Sequence, residues 1–198
     1  VSDIMGATKY PVLDESFYPR MIASCTNDEQ RGLITVLDLT GMHVSSVCKL
    51  GPDSMIRQGD KIYLKWVRPK NKKTLQSEVP PIKVHVIQNF LNMRRKTREF
   101  YFILVKEIGR TAGYQDVSPM TFRHNRAIRA LVTERYTIYE LPQIMGCTLE
   151  VAVRNYAKVK EADLIKTQRE QEQRAQSNGK PRTRTKGKGM VSKLMRRR

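Results

Sequence analysis

The chain has 198 residues, enough for one domain of ordinary size plus appendages, and 37 Lys and Arg against 19 Asp and Glu give it a formal charge of +18. Ten of those bases and no acid lie in residues 174–198, so the first 173 residues still carry +8. A body that is basic without its tail points to a polyanionic partner, and to nucleic acid ahead of an anionic membrane surface. Cys25, Cys48 and Cys147 are scattered with no CxxC pair, which disfavours a disulfide framework and a zinc site and suggests a reducing compartment. No apolar run approaches the ~20 residues of a membrane span, and the N-terminus lacks the layout of a signal peptide. The chain starts with Val1 rather than Met, as a fragment with an upstream domain would.

In chain order, residues 11–25 place Val12, Leu13, Phe17, Met21 and Ile22 near helical spacing behind Asp14 as N-cap. Residues 29–39 form a mostly apolar helix that stops at Thr40-Gly41. A further short helix over 43–51 ends at Gly51-Pro52. The texture then changes: residues 60–67, DKIYLKWV, alternate apolar and polar and read as a strand. RPKNKKTLQ follows as a basic turn, and SEVPPI, 77–82, reads as a short second strand. Helices are expected at 82–95, at 98–112 (the most buried-looking segment), and at 119–135, 138–145 and 148–160. Beyond Asp163 a polar helix leads into SNGKPRTRTKGKG, a low-complexity stretch that reads as disordered until it meets a partner. The fold class is mainly α with a small β-hairpin or sheet inserted. The domain division is 1–163 for the folded body and 164–198 for the basic tail.

Three segments carry candidate chemistry. PMTFRH has Arg123 and His124 in a helix entrance, QIMGC has Met145-Gly146-Cys147, and Tyr156 follows Cys147 by nine positions. Upstream lies LTGMHVSSVCKLGPDSM, residues 39–55. In this order they resemble the catalytic domain of tyrosine recombinases, the phage-integrase family, over roughly residues 10–160. The family's His-x-x-Arg-His run corresponds to Met120 through His124. Its Leu-Gly-His motif corresponds to Met145-Gly146-Cys147, and its nucleophilic Tyr to Tyr156. Its Thr-Gly-Leu-Arg-x-x-Glu segment places His43 at the first catalytic Arg and Ser46 at the Glu.

The resemblance implies a catalytic set of Tyr156, Arg123, His43, Cys147 and a hairpin lysine, Lys72 or Lys73. Arg68, Lys70, His124, Arg126 and Arg154 are expected on DNA. It implies attack of a tyrosine phenol on a DNA phosphate, with a 3′-phosphotyrosine that conserves the bond energy, so neither cofactor nor metal is called for. Guanidiniums suit the phosphate because they are always charged and bind oxygens in pairs. Against this, His43 offers fewer donors than Arg, Cys147 only a weak S–H donor, and Met120 none. Losing one such donor costs roughly 10²–10³ in rate, so strand cleavage is open while DNA binding, spread over many bases, is less affected. The expected partner is duplex DNA, with a homo-oligomer formed on it. The expected location is the cytoplasm or nucleoid, or a nucleus in a eukaryote. The alternatives are a catalytically impaired DNA-binding relative and a basic RNA-binding protein, the latter without stacked aromatics of an RNA-recognition motif. A plain solvated role competes for each Lys and for Tyr156, and His85 is given none.

Overall fold

A computed structural model describes residues 15–70 and 72–159. Asp14 as an N-cap, the polar helix beyond residue 163 and the basic tail therefore lie outside the described residues. Helix α1 spans Phe17–Ala23 and buries Phe17 and Met21. Helix α2, Asp28–Thr40, starts where the Asn27 side chain accepts the Gln30 N–H at 2.9 Å and acids occupy the first turn. It ends at Gly41, whose φ of +58° is a left-handed cap. Gly32 through Asp38 are all buried, so α2 is the central helix of the fold. At Gly32 a Cβ would stand 2.3 Å from that of Phe90, so the glycine is what lets the next helix come this close.

The segment expected as a helix over 43–51 is shorter: α3 covers Val44–Val47, and a 3₁₀ turn follows at Pro52–Ser54. A strand absent from the expectations comes next. β1, Met55–Gln58, pairs antiparallel with β2, Lys61–Val67, across a turn at Gly59 with φ +59°. β3 is Thr74–Glu78 rather than 77–82, paired to β2 with Trp66 opposite Leu75. The shift has a plain cause: prolines lack the N–H a ladder needs, and Pro81 with its fixed φ opens helix α4, Pro81–Asn92. The sheet order is β1-β2-β3.

Helix α4 stops at Asn92 because Met93 is extended, its carbonyl accepting from Arg95 at 2.6 and 3.1 Å. α5, Arg98–Thr111, is capped by Thr97, whose hydroxyl accepts from the Phe100 N–H at 3.2 Å. It buries one face, with Tyr101, Leu104, Val105 and Ile108, while Phe100, Phe102 and Ile103 stay exposed. Its apolar FYFILV run had suggested deeper burial. α6, Pro119–Val132, begins with Pro119 in its first turn and a Ser118 N–H bond to Thr121 Oγ1 at 3.1 Å. α7 is Leu141–Met145, and a last helix, α8, runs over 149–159. One apolar cluster joins α1 through α5, the sheet and Phe122. A smaller one, of Ala127, Ala130, Leu131, Leu141, Met145, Ala152 and Tyr156, ties α8 to α6 and α7.

Candidate anion and nucleophile site

Two left-handed glycines shape the site. Gly41, after α2, and Gly146, after α7 with φ +64°, each turn the chain so that nearby carbonyls face α6. The Arg123 guanidinium donates to Gly41 O at 2.9 Å and to Met145 O at 2.7 Å, so it locks two loops together. Among the described residues no carboxylate pairs with it. Arg123's pKa lies below the usual arginine value, first because of burial and then because of the like charge of Arg68.

Arg68 enters from the end of β2. Its N–H bonds Lys73 O at 2.9 Å and its carbonyl accepts from Lys72 N at 3.0 Å, closing the hairpin loop. Its Nη1 donates to Gly146 O, the carbonyl next to the one Arg123 holds. All three hairpin lysines are exposed; Lys73 reaches Pro142 O at 3.3 Å, and Lys72 sits at φ +55°. Of the hairpin lysines, Lys73 is the one that the fold turns toward α7.

His43 caps α3: its Nδ1 accepts from Ser45 N–H at 3.3 Å and sits 2.7 Å from Ser45 Oγ. Burial lowers its pKa, and the positive charges of Arg98, Arg123 and Arg68 add to that. A neutral imidazole at neutral pH is the result. Ser46, where the resemblance places a Glu, is buried with its Oγ unpaired among the described residues. Half-buried Cys147 has its thiol pKa raised by burial against the lowering pull of Arg123, Arg68 and Lys73, and so stays protonated. Met120 is half-buried in the first turn of α6 and brings no donor.

Tyr156 lies inside, 5% exposed, with its hydroxyl 2.7 Å from His124 Nδ1. The His124 pKa falls to about 4, through burial and then the charge of Arg123, so the ring is neutral near pH 7. His124, expected on DNA, is turned inward onto Tyr156. Arg126 is likewise not part of the group. Its Nε donates to Leu39 O at 3.2 Å and its Nη2 lies 3.1 Å from Glu134, with 12% of the side chain exposed. Arg126, expected on DNA, is held internally by these two bonds. Arg154 is exposed on α8 and ion-paired to Glu150 one turn before it.

The structure therefore brings together Arg123, Arg68, His43, Cys147 and Lys73, with His124 and Tyr156 behind Arg123. Sequence reading placed Arg68 among general DNA contacts, and its position beside Arg123 had no signal in the spacing. Arg98, whose charge acts on His43, was not singled out at all; its place at the start of α5 after a run of bases was the available sign. Among the described residues no cluster of His, Cys, Asp and Glu could hold a metal ion, and no helix is long and apolar enough to cross a membrane.

No protein-family model matches the sequence, and no curated protein matches it. Solved structures do match. A XerA recombinase is similar with a TM-score of 0.64 at 18% identity, over 87% of this chain and 66% of that one. A XerH site-specific recombinase bound to its difH substrate in a pre-cleavage complex is similar at 0.59 and 14% identity, over 73% of this chain and 49% of that one. The catalytic domain of bacteriophage HP1 integrase is similar at 0.57 and 18% identity, over 76% of this chain and 89% of that one. This chain thus spans about two thirds of the XerA protein and about half of XerH. The fold is mainly helical with a small three-stranded antiparallel sheet, similar to tyrosine-recombinase catalytic domains.

Proposed function

We propose that the chain is a recombinase- or integrase-type protein that binds duplex DNA and cuts and rejoins it through Tyr156. The observation that carries this reading is Arg123: a partly buried guanidinium held by two carbonyls, with no carboxylate partner among the described residues. A cation so placed suits a phosphate, whose negative oxygens it would meet in a partly desolvated site. The Tyr156 oxygen bonds to phosphorus as the bond to the 5′-oxygen breaks, leaving a 3′-phosphotyrosine and a 5′-hydroxyl. The phenol proton leaves toward His124, the neighbour of the hydroxyl. A hairpin lysine, with Lys73 best placed, protonates the departing 5′-oxygen.

One observation favours a second reading, a DNA-binding relative that does not cleave. Tyr156 is enclosed, and His43, Met120 and Cys147 offer weak or no donors where the resemblance calls for strong ones. In the cleaving reading, DNA must draw α8 outward enough to expose the Tyr156 hydroxyl to the phosphate as its proton passes to His124. The test is a library of nicked duplexes with randomised sequence, incubated with the protein and resolved under denaturing conditions. The expected result is a covalent band whose trapped DNA reports the target sequence and which Tyr156→Phe removes. DNA binding with no covalent band from any member of the library would establish the second reading. A preference for structured RNA over duplex DNA would overturn both.

A further inference from the structure

We infer that Arg68, from the β2–β3 hairpin, is the second guanidinium of the phosphate clamp, paired with Arg123 on the consecutive carbonyls of Gly146 and Met145. The inference rests on the phosphate-site reading above. Its geometry is the backbone between α7 and α8. Arg123 Nη2 takes Met145 O and Arg68 Nη1 takes Gly146 O, so two consecutive peptide units hold two guanidiniums next to each other. The aliphatic part of Arg68 also packs over Gly146: a Cβ there would come within 3.2 Å of Arg68 Cδ and 2.7 Å of Leu75 Cδ1. The absence of a side chain at Gly146 is what admits Arg68 to this place.

Two like charges held this close oppose each other, and among the described residues neither has a carboxylate partner. The Arg126–Glu134 and Arg129–Asp38 pairs show that this fold supplies acids to arginines that serve packing. Arg68 and Arg123 are left for an anion that comes from outside. Arg68 uses one N–H on Gly146 O and Arg123 uses two on carbonyls, so most of their donors remain for oxyanion oxygens. His43, neutral and bound to Ser45, brings no such fork. The second cation comes from the hairpin instead of from α3, and the chemical class it accepts is a tetrahedral oxyanion such as a phosphodiester.

Orthovanadate titration of the full chain tests this without requiring cleavage. Wild type is compared with Arg68→Gln, Arg123→Gln and the exposed β1 control Arg57→Gln; any anion binding by the basic tail is common to all four. Gln keeps a donor for the carbonyl and removes the charge. Both Arg68→Gln and Arg123→Gln are expected to weaken vanadate binding about tenfold or more, with Arg57→Gln unchanged. Arg68→Gln binding like wild type would overturn the clamp and leave Arg68 a strut. Where a variant fails to fold, the guanidinium Nε–H resonances of ¹⁵N-arginine wild type decide. Arg68 and Arg123 should shift together with one dissociation constant, and a shift of Arg123 alone, or of neither, overturns the clamp. The two readings separate cleanly. Vanadate bound through Arg68 with no covalent DNA band keeps the clamp and removes cleavage, and a covalent band with unaltered Arg68→Gln binding does the reverse.

Discussion

Helix α6 carries Arg123, Arg126 and Arg129 within two turns, and the fold treats them in two ways. Toward the start of the helix, Arg123 meets two carbonyls and the like charge of Arg68, with no carboxylate partner among the described residues. One and two turns on, Arg126 and Arg129 meet Glu134 and Asp38, and Lys83 of α4 joins Asp38 at 3.1 Å. Asp38, 9% exposed on the central helix, thereby ties α2 to α4 and α6. The same residue type on one helix is a fastener where an acid is supplied, and where none is supplied among the described residues it is the proposed binding group. Counting bases in the sequence cannot separate these two uses.

The largest expected effect comes from breaking the uncompensated side. Arg123→Gln should lower covalent adduct formation on trapped DNA by about 10²-fold or more, measured as initial rate, because a donor to the developing charge is lost. The compensated side should respond in stability instead. Asp38→Ala leaves Arg129 and Lys83 without their acid and is expected to cost about 2–4 kcal/mol in urea unfolding. The lower end reflects Arg129, whose side chain is 37% exposed. A larger stability loss from Arg123→Gln than from Asp38→Ala would undo the division drawn above.

A pH titration sharpens the same contrast. With His124 at about 4 in the folded protein and near 6.5 when unfolded, the unfolded chain takes up the extra proton between those values. Stability should therefore hold above about pH 6.5 and fall as the pH drops toward 4, by on the order of 2 kcal/mol. His124→Gln should flatten that part of the profile. The smallest change expected is Gly41→Ala, about 1–2 kcal/mol. It forces a side chain onto φ +58° and sets a Cβ 2.8 Å from that of Arg126, where the two sides of α6 adjoin. Unfolding by denaturant measures it, and an unchanged midpoint would show that the Gly41 turn relaxes freely.

Much of the fold was legible because it follows local rules. The apolar run from Leu33 to Leu37, stopped at Thr40-Gly41, specified α2, and alternation over residues 60–67 specified β2. β1 was missed because MIRQ has neither length nor alternation; it is a strand because β2 offers it an edge. β3 was displaced because valine and glutamate looked stronger than the prolines that follow them, yet Pro80 and Pro81 belong to the entry of α4. The basic charge, the spacing from Cys147 to Tyr156 and the resemblance brought Arg123, His124 and Tyr156 forward as candidates. What they touch was another matter, since Arg123 and its acceptor on Gly41 are 82 positions apart.

By itself, then, the sequence determined a basic, mainly helical chain, its central helix, and the residues around which a phosphate chemistry could be built. Charge and hydrophobic periodicity are properties of neighbours along the chain, and they survive without a fold. The tertiary structure alone decided that Arg126 is a strut, that His124 faces Tyr156, and that Arg68 stands beside Arg123. Whether an arginine is neutralised depends on which acids and carbonyls packing delivers to it, and several of those come from segments tens of residues away.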